Sequence, residues 1–122
     1  IKISLSDTSA KGASDYSFPL LEKALTGKVE IAVSGFDCVD IVNKGVSKGT
    51  AIEALQKMWN ITPEETMAFG DGHNDVDMLK LVGIGVCMAN GHPETIACSD
   101  YVTDTVENDG IVSALKHFKL ID

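Results

Sequence analysis

The chain has 122 residues, 44% hydrophobic and 23% charged, with a net charge of −8, which allows one modest core in an ordinary globular protein. The acidic balance argues against nucleic acid as a partner, because phosphate-backbone binding depends on basic surface. No apolar run is long enough to span a membrane and no signal-peptide pattern opens the chain, so a cytoplasmic protein with no membrane partner is expected.

Residues Ile1 to Ser6 alternate as a half-buried strand does. The pattern opens in mid-strand on isoleucine, so the chain reads as part of a longer protein. Lys11 to Ser14 reads as loop. Ser17 stands where it could cap a helix running to Leu25, with Pro19 tolerated in the first turn and Gly27 as the stop. Val29, Ile31 and Val33 alternate again. Ser34-Gly35-Phe36-Asp37 reads as a turn and Cys38 to Val42 as a second strand, which makes a hairpin. Asn43-Lys44-Gly45 breaks the composition and reads as a hinge.

Ser47 then caps a helix to about Trp59, with Ile52, Leu55, Met58 and Trp59 on one face. Thr62-Pro63-Glu64-Glu65 is a capping box with proline at the first helical position. A strand over Thr66 to Phe69 leads into Gly70-Asp71-Gly72-His73-Asn74-Asp75 and a helix from about Asn74 to Val82. A short strand at Gly83 to Cys87, a helix at Pro93 to Ala97 and a strand at Tyr101-Val102 follow. A last helix, capped by Asn108 or Asp109, ends near Phe118. Helix and strand alternate from Ser47 onward, which predicts an α/β fold with a parallel sheet covered by helices. The N-terminal hairpin breaks that alternation and predicts a separate subdomain.

The turn at Asp71 lies beyond the carboxyl end of a strand, where open α/β sheets bind ligands. Acids gathered there fit a hard cation, and a cation beside a helix N-terminus fits a phosphate. Magnesium takes one or two carboxylates and completes its shell with water and substrate phosphate. The same residues also read as a Gly-Asp-Gly turn with Asn74 and Asp75 as helix caps. Lys48, one residue into its helix, adds positive charge to an already positive end, a cost that a bound anion would offset; it also reads as a solvated surface lysine.

Other motifs fail on detail. Asp71 to Asp77 lacks the glycine and glutamate of an EF-hand, with Val76 and Val82 in their places. Gly83-Ile84-Gly85 lacks the third glycine of a dinucleotide fingerprint. Gly45-Val46-Ser47-Lys48-Gly49 matches a nucleophile elbow in letters only, since Ser47 is already a cap and its strand ends earlier. His73 reads as an exposed turn residue, His92 as a cap, and His117 as a favourable last-turn residue. Cys38, Cys87 and Cys98, with no Cys-x-x-Cys, read as reduced thiols.

Val46-Ser47-Lys48-Gly49-Thr50-Ala51, followed by Ala68 through Leu79, resembles motifs III and IV of the haloacid dehalogenase-like phosphatases. The likeness is nearest to the Cof-type branch with a C2B cap. It continues through Gly83 to Val86, Met88 to Gly91 and Asp100 to Thr103 as far as Ile111, and covers Asp40 to Phe118. The resemblance implies a partial Rossmann-like sheet. Residues 45–122 would be the C-terminal half of the hydrolase core, and residues 1–44 the end of the cap with its hinge. It implies Mg²⁺-dependent hydrolysis of a small phosphorylated metabolite, a sugar phosphate or phosphorylated cofactor, through an aspartyl-phosphate. On the matching positions, Asp71 would be a metal ligand, and Asp75 would hold the metal's waters or orient Lys48. Lys48 would bridge the nucleophilic carboxylate and the phosphoryl oxygens, and Asn74 would contact phosphate or substrate. Such roles suit phosphoryl transfer, which is mostly positioning and charge neutralisation.

The family's Asp-x-Asp-Gly-Thr motif and the Ser/Thr of its second motif have no counterpart here. Asp7-Thr8-Ser9 lacks the second aspartate and the glycine. The chain alone is therefore expected to be inactive. The missing opening strand would leave an apolar sheet edge open to self-association. The competing class is a non-catalytic Mg²⁺- and phosphate-binding module. A response-regulator receiver does not fit, because the lysine here precedes the acidic turn.

Overall fold

Two three-stranded sheets organise the residues that the computed structural model describes, 2–6, 13–34 and 38–122. In the first, β3 (Cys38–Asn43) lies between β1 (Lys2–Ser6) and β2 (Val29–Ser34), antiparallel to both. Ile41 sits opposite Ile3 on one side and Ile31 on the other, and Val39 is completely buried. The expected hairpin is present. Its Gly35 to Asp37 turn lies outside the described residues.

Three local expectations need correcting here. β1 is a strand but not a half-buried one: all its residues are exposed, Ile3 to 54%. An edge strand gains backbone pairing without having its side chains covered. The loop expected over Lys11 to Ser14 is already a π-helical turn at Ala13–Ser17, running straight into α1 (Phe18–Leu25); Lys11 and Gly12 lie outside the described residues. Ser17 is consequently helical itself (φ −71°, ψ −41°) and makes no capping bond with its side chain. Pro19 does fall in the first turn of α1, and Gly27 follows its end at φ 74°.

The second sheet follows from strong local signals. Ser47 is extended; its Oγ accepts from the Thr50 N–H at 3.2 Å, and its own N–H donates to Thr50 Oγ1 at 2.8 Å. That reciprocal cap starts α2 (Lys48–Trp59). The capping box at Thr62 also forms, with Glu65 Oε2 accepting from the Thr62 N–H at 2.8 Å. Next come β4 (Met67–Gly70), a 3₁₀ turn at His73–Asp75, α3 (Val76–Leu81), β5 (Ile84–Met88), α4 (Pro93–Cys98), β6 (Tyr101–Thr103) and α5 (Gly110–His117). The strands are parallel in the order β4-β5-β6, with Ala68 opposite Gly85 and Cys87 opposite Val102. Among the described residues, nothing pairs with the outer edge of β4.

Leu79, Cys87, Ala68 and Val82 form the core under this sheet, with Ile52, Met78 and Ile96 packed on it. Fully burying a side chain such as Leu79 contributes about 1.5–3 kcal/mol. Gly85 lets α3 lie close, since a Cβ there would collide with the Leu79 carbonyl oxygen.

The apolar face expected on α2 does not become its buried face. Met58 and Trp59 are 74% and 62% exposed and Leu55 is exposed as well, while Gly49 and Gln56 are buried. The helix turns its glycine to α3, where a Cβ on Gly49 would lie 3.2 Å from Asp77 Cβ. Ile52 then meets the core, and Gln56 Nε2 donates to Thr66 Oγ1 at 3.1 Å. Asp109 precedes α5 in a left-handed conformation (φ 53°) and makes no side-chain cap, contrary to expectation.

Candidate active site

The site is built where β4 runs out. Gly70 ends the strand, and a Cβ on it would come within 2.5 Å of Asp75 Cβ. Glycine therefore leaves room for the Asp75 side chain to fold back beneath the strand end. There Asp75 Oδ2 accepts from the N–H groups of Asp71 (2.9 Å) and Gly72 (3.0 Å), and Oδ1 receives the Lys48 ammonium. The Asp75 side chain is 3% exposed, whereas the Lys48 side chain is 48% exposed. Burial pushes the Asp75 carboxyl up. The Lys48 ammonium and the Gly72 and Asp71 N–H groups outweigh it, so the group ends below the ordinary aspartate range.

Asp75 thus fixes two things at once, the conformation of the acidic turn and the position of the lysine. The turn is pinned from the other side as well. The Asp71 carbonyl accepts from the His92 N–H at 2.7 Å, and the Gly72 carbonyl accepts from the buried Thr95 hydroxyl at 3.0 Å. Asp71 itself is exposed, and its carboxylate has no hydrogen bond or ion pair among the described residues. Oxygen of that kind is what magnesium takes. Asp75 already receives three donors, which leaves room for a metal-bound water rather than for several direct bonds. The donor set fits one hard cation held at Asp71.

Lys48, His73 and Asn74 line a cavity of about 640 Å³, whose opposite wall comes from the first sheet through Lys2, Glu30 and Asp40. Asp71 is not among its lining residues. Lys2 Nζ pairs with Asp40 Oδ2 at 2.8 Å, and Glu30 Oε1 accepts from the Gly45 N–H at 3.2 Å. The structure therefore brings Lys48, Asn74, Asp71 and Asp75 together at one strand end. Sequence reasoning missed the polar wall. The signal was the alternation itself: Lys2 and Glu30 both lie opposite Val42, and Asp40 follows two residues away on the same face.

It also missed a second cluster. His73 Nδ1 lies 2.9 Å from Glu94 Oε2, and the ring of His92 lies 3.6 Å from that of His73, centroid to centroid. His92 does cap α4 as expected, with Nδ1 accepting from the Glu94 N–H at 3.5 Å. All three cysteines are free. Burial pushes the Cys87 thiol up, with negative charge at Cys98, Asp71 and Asp75 adding to it.

A sequence model of the haloacid dehalogenase-like hydrolases matches residues 2–115. The chloroplastic endoribonuclease YBEY of Arabidopsis thaliana is 32% identical over 117 residues, which are 96% of this chain and 20% of that protein. A phosphoglycolate phosphatase of Methanoculleus marisnigri is 38% identical over 90 residues, 74% of this chain and 38% of its own. Among solved structures, the subclass IIB sugar phosphatase BT4131 matches with a TM-score of 0.83 at 32% identity, over 99% of this chain and 44% of its own. The chain spans between a fifth and under half of these proteins.

Proposed function

The chain belongs to the haloacid dehalogenase-like hydrolase family, and from that premise we propose that it forms half of the active site of a Mg²⁺-dependent phosphatase for a small phosphomonoester. Relatives named as phosphoglycolate and sugar phosphatases support the reaction class. The observation that carries the proposal is the Lys48–Asp75 pair, buried on the carboxylate side and open on the ammonium side, set against the Asp71 turn.

Asp71 would hold the magnesium ion, and the bound metal would offset charge on the phosphoryl oxygens. Lys48 places a fixed positive charge where an attacking carboxylate and a phosphoryl group would otherwise repel each other. Asp75 keeps that ammonium in place. Asn74 offers amide N–H donors to phosphate from the cavity side. The attacking carboxylate, with transfer through an aspartyl-phosphate, would come from an Asp-x-Asp-Gly-Thr strand, a motif these 122 residues do not contain. The cavity wall carries hydrogen-bonding groups of both kinds, Glu30 and the Lys2–Asp40 pair, which suits a hydroxylated leaving group, and with the sugar-phosphatase relative this supports a sugar phosphate ahead of phosphoglycolate or a phosphorylated cofactor. Three free thiols support a reducing, cytoplasmic setting.

Two measurements test the reading. Titrating MgCl₂ into the 122-residue chain should shift the amide NMR signals around Asp71, and inorganic phosphate those around Lys48 and Asn74. Asp71→Asn should abolish the first response and Lys48→Met the second. The chain alone should not hydrolyse p-nitrophenyl phosphate with magnesium. Turnover would show that the assigned nucleophile is not needed, and silent amides would remove the half-site.

A further inference from the structure

A different donor set lies beside the Asp71 turn. His73, His92 and Glu94 each offer a ligand atom, and the three atoms lie within 4.8 Å of one another. We propose that His73, His92 and Glu94 form a second metal site, selective for a borderline transition ion such as Zn²⁺ over Mg²⁺. This inference stands independently of the phosphatase reading, since neither the ligands nor their chemistry depend on phosphate.

The donors decide the metal. Two imidazole nitrogens and one carboxylate suit zinc, nickel, cobalt or copper, whereas magnesium requires oxygen donors. Two ligands about 2.0–2.2 Å from a tetrahedral zinc ion sit roughly 3.4 Å apart. His73 Nδ1 and Glu94 Oε2 are already closer than that, at 2.9 Å. His92 brings the third ligand atom within 4.8 Å of the other two, and all three residues are exposed.

The backbone beneath the cluster is fixed, so little ordering is needed to bind. His92 is held by its N–H bond to the Asp71 carbonyl, Pro93 locks the next φ, and His73 belongs to the 3₁₀ turn that Asp75 fastens. A structural role for the rings alone would account for one ion pair, His73 with Glu94. It accounts also for His92 as the cap of α4; what it leaves over is the approach of the second ring to 3.6 Å from the first, which gathers two ring nitrogens and a carboxylate oxygen within 4.8 Å. A shared cation would engage both rings and the carboxylate at once. The consequence is mechanical. His92 carries the bond to Asp71 and His73 lines the cavity, so an ion here would brace the acidic turn.

The test is calorimetric titration of the 122-residue chain with ZnCl₂ in excess MgCl₂, which reads zinc against magnesium directly. One Zn²⁺ per chain is expected. His92→Ala and Glu94→Gln should each weaken binding about tenfold or more, and His117→Ala should leave it unchanged. Both altered residues are exposed, and circular dichroism checks that each variant keeps its fold. Cobalt(II) supplies the second readout: visible d–d bands without a thiolate-to-metal charge-transfer band. Zinc binding that survives His92→Ala with Glu94→Gln, binding that is lost with His117→Ala, a thiolate band, or no binding at all would each overturn the proposal.

Discussion

Replacing Asp75 by asparagine keeps the shape of the buried carboxylate and removes its charge, which makes it the sharpest probe of the half-site. In one orientation the amide oxygen still accepts from the Asp71 and Gly72 N–H groups, and the NH₂ group then faces the Lys48 ammonium, donor against donor. In the other, the oxygen serves Lys48 and the NH₂ group faces two N–H donors, which is worse. Bonds to a charged acceptor contribute about 1.5–3 kcal/mol and neutral ones about 0.5–1.5. Losing that difference twice costs roughly 2 kcal/mol. The ammonium, half-exposed, can turn to water, so its part is under about 1 kcal/mol. The total is about 2–3 kcal/mol. Lys48→Met removes only the half-exposed partner and leaves both backbone bonds, for about 1 kcal/mol or less. Urea denaturation of the two variants should give midpoints in that order with an unchanged slope. The Asp71 and Gly72 amide protons should also move upfield in Asp75→Asn and hold their places in Lys48→Met. A Lys48→Met variant as unstable as Asp75→Asn would mean that the lysine, rather than the two N–H bonds, holds the turn, and would refute this division.

The same carboxylate sets a pH dependence. Its folded pKa lies below its ordinary value, so its contribution is complete above about pH 3.9 and is lost as pH falls through the lower, folded value. Urea midpoints measured downward from pH 6 should therefore converge for the parent and Asp75→Asn in acid; curves that stay parallel would assign the acid loss to other groups. The open edge of β4 makes a different prediction: sedimentation velocity should show a weight-average coefficient that rises with concentration, and Phe69→Lys, a charge on that strand, should flatten it. A single monomeric species at every concentration would remove the edge as an association surface.

What could be read directly from the sequence was local. The Ser47 cap, the capping box at Thr62 and the strand–turn–helix around Asp71 are each written in a few consecutive residues, and each forms. The partnership of Lys48 with Asp75 spans two elements, and its two residues kept bland readings until a family resemblance joined them. The face of α2 was misread because hydrophobic periodicity finds the stripe Leu55, Met58, Trp59 but gives no weight to a glycine, and Gly49 is what makes the close approach to α3. The alternation in β1 was read as burial, although an edge strand can alternate with nothing over it. The histidines show a third kind of loss. His92 is remote from His73 in the chain, so neither showed a second ligand. Parallel pairing of β4 with β5 removes that distance. It sets the carboxyl ends of both strands at one edge of the sheet, so the segments that follow Gly70 and Met88 must meet. The bond from the His92 N–H to the Asp71 carbonyl is that meeting. In a parallel sheet, side chains at similar offsets beyond neighbouring strand ends are therefore the pairs to compare for shared chemistry, even when no motif links them.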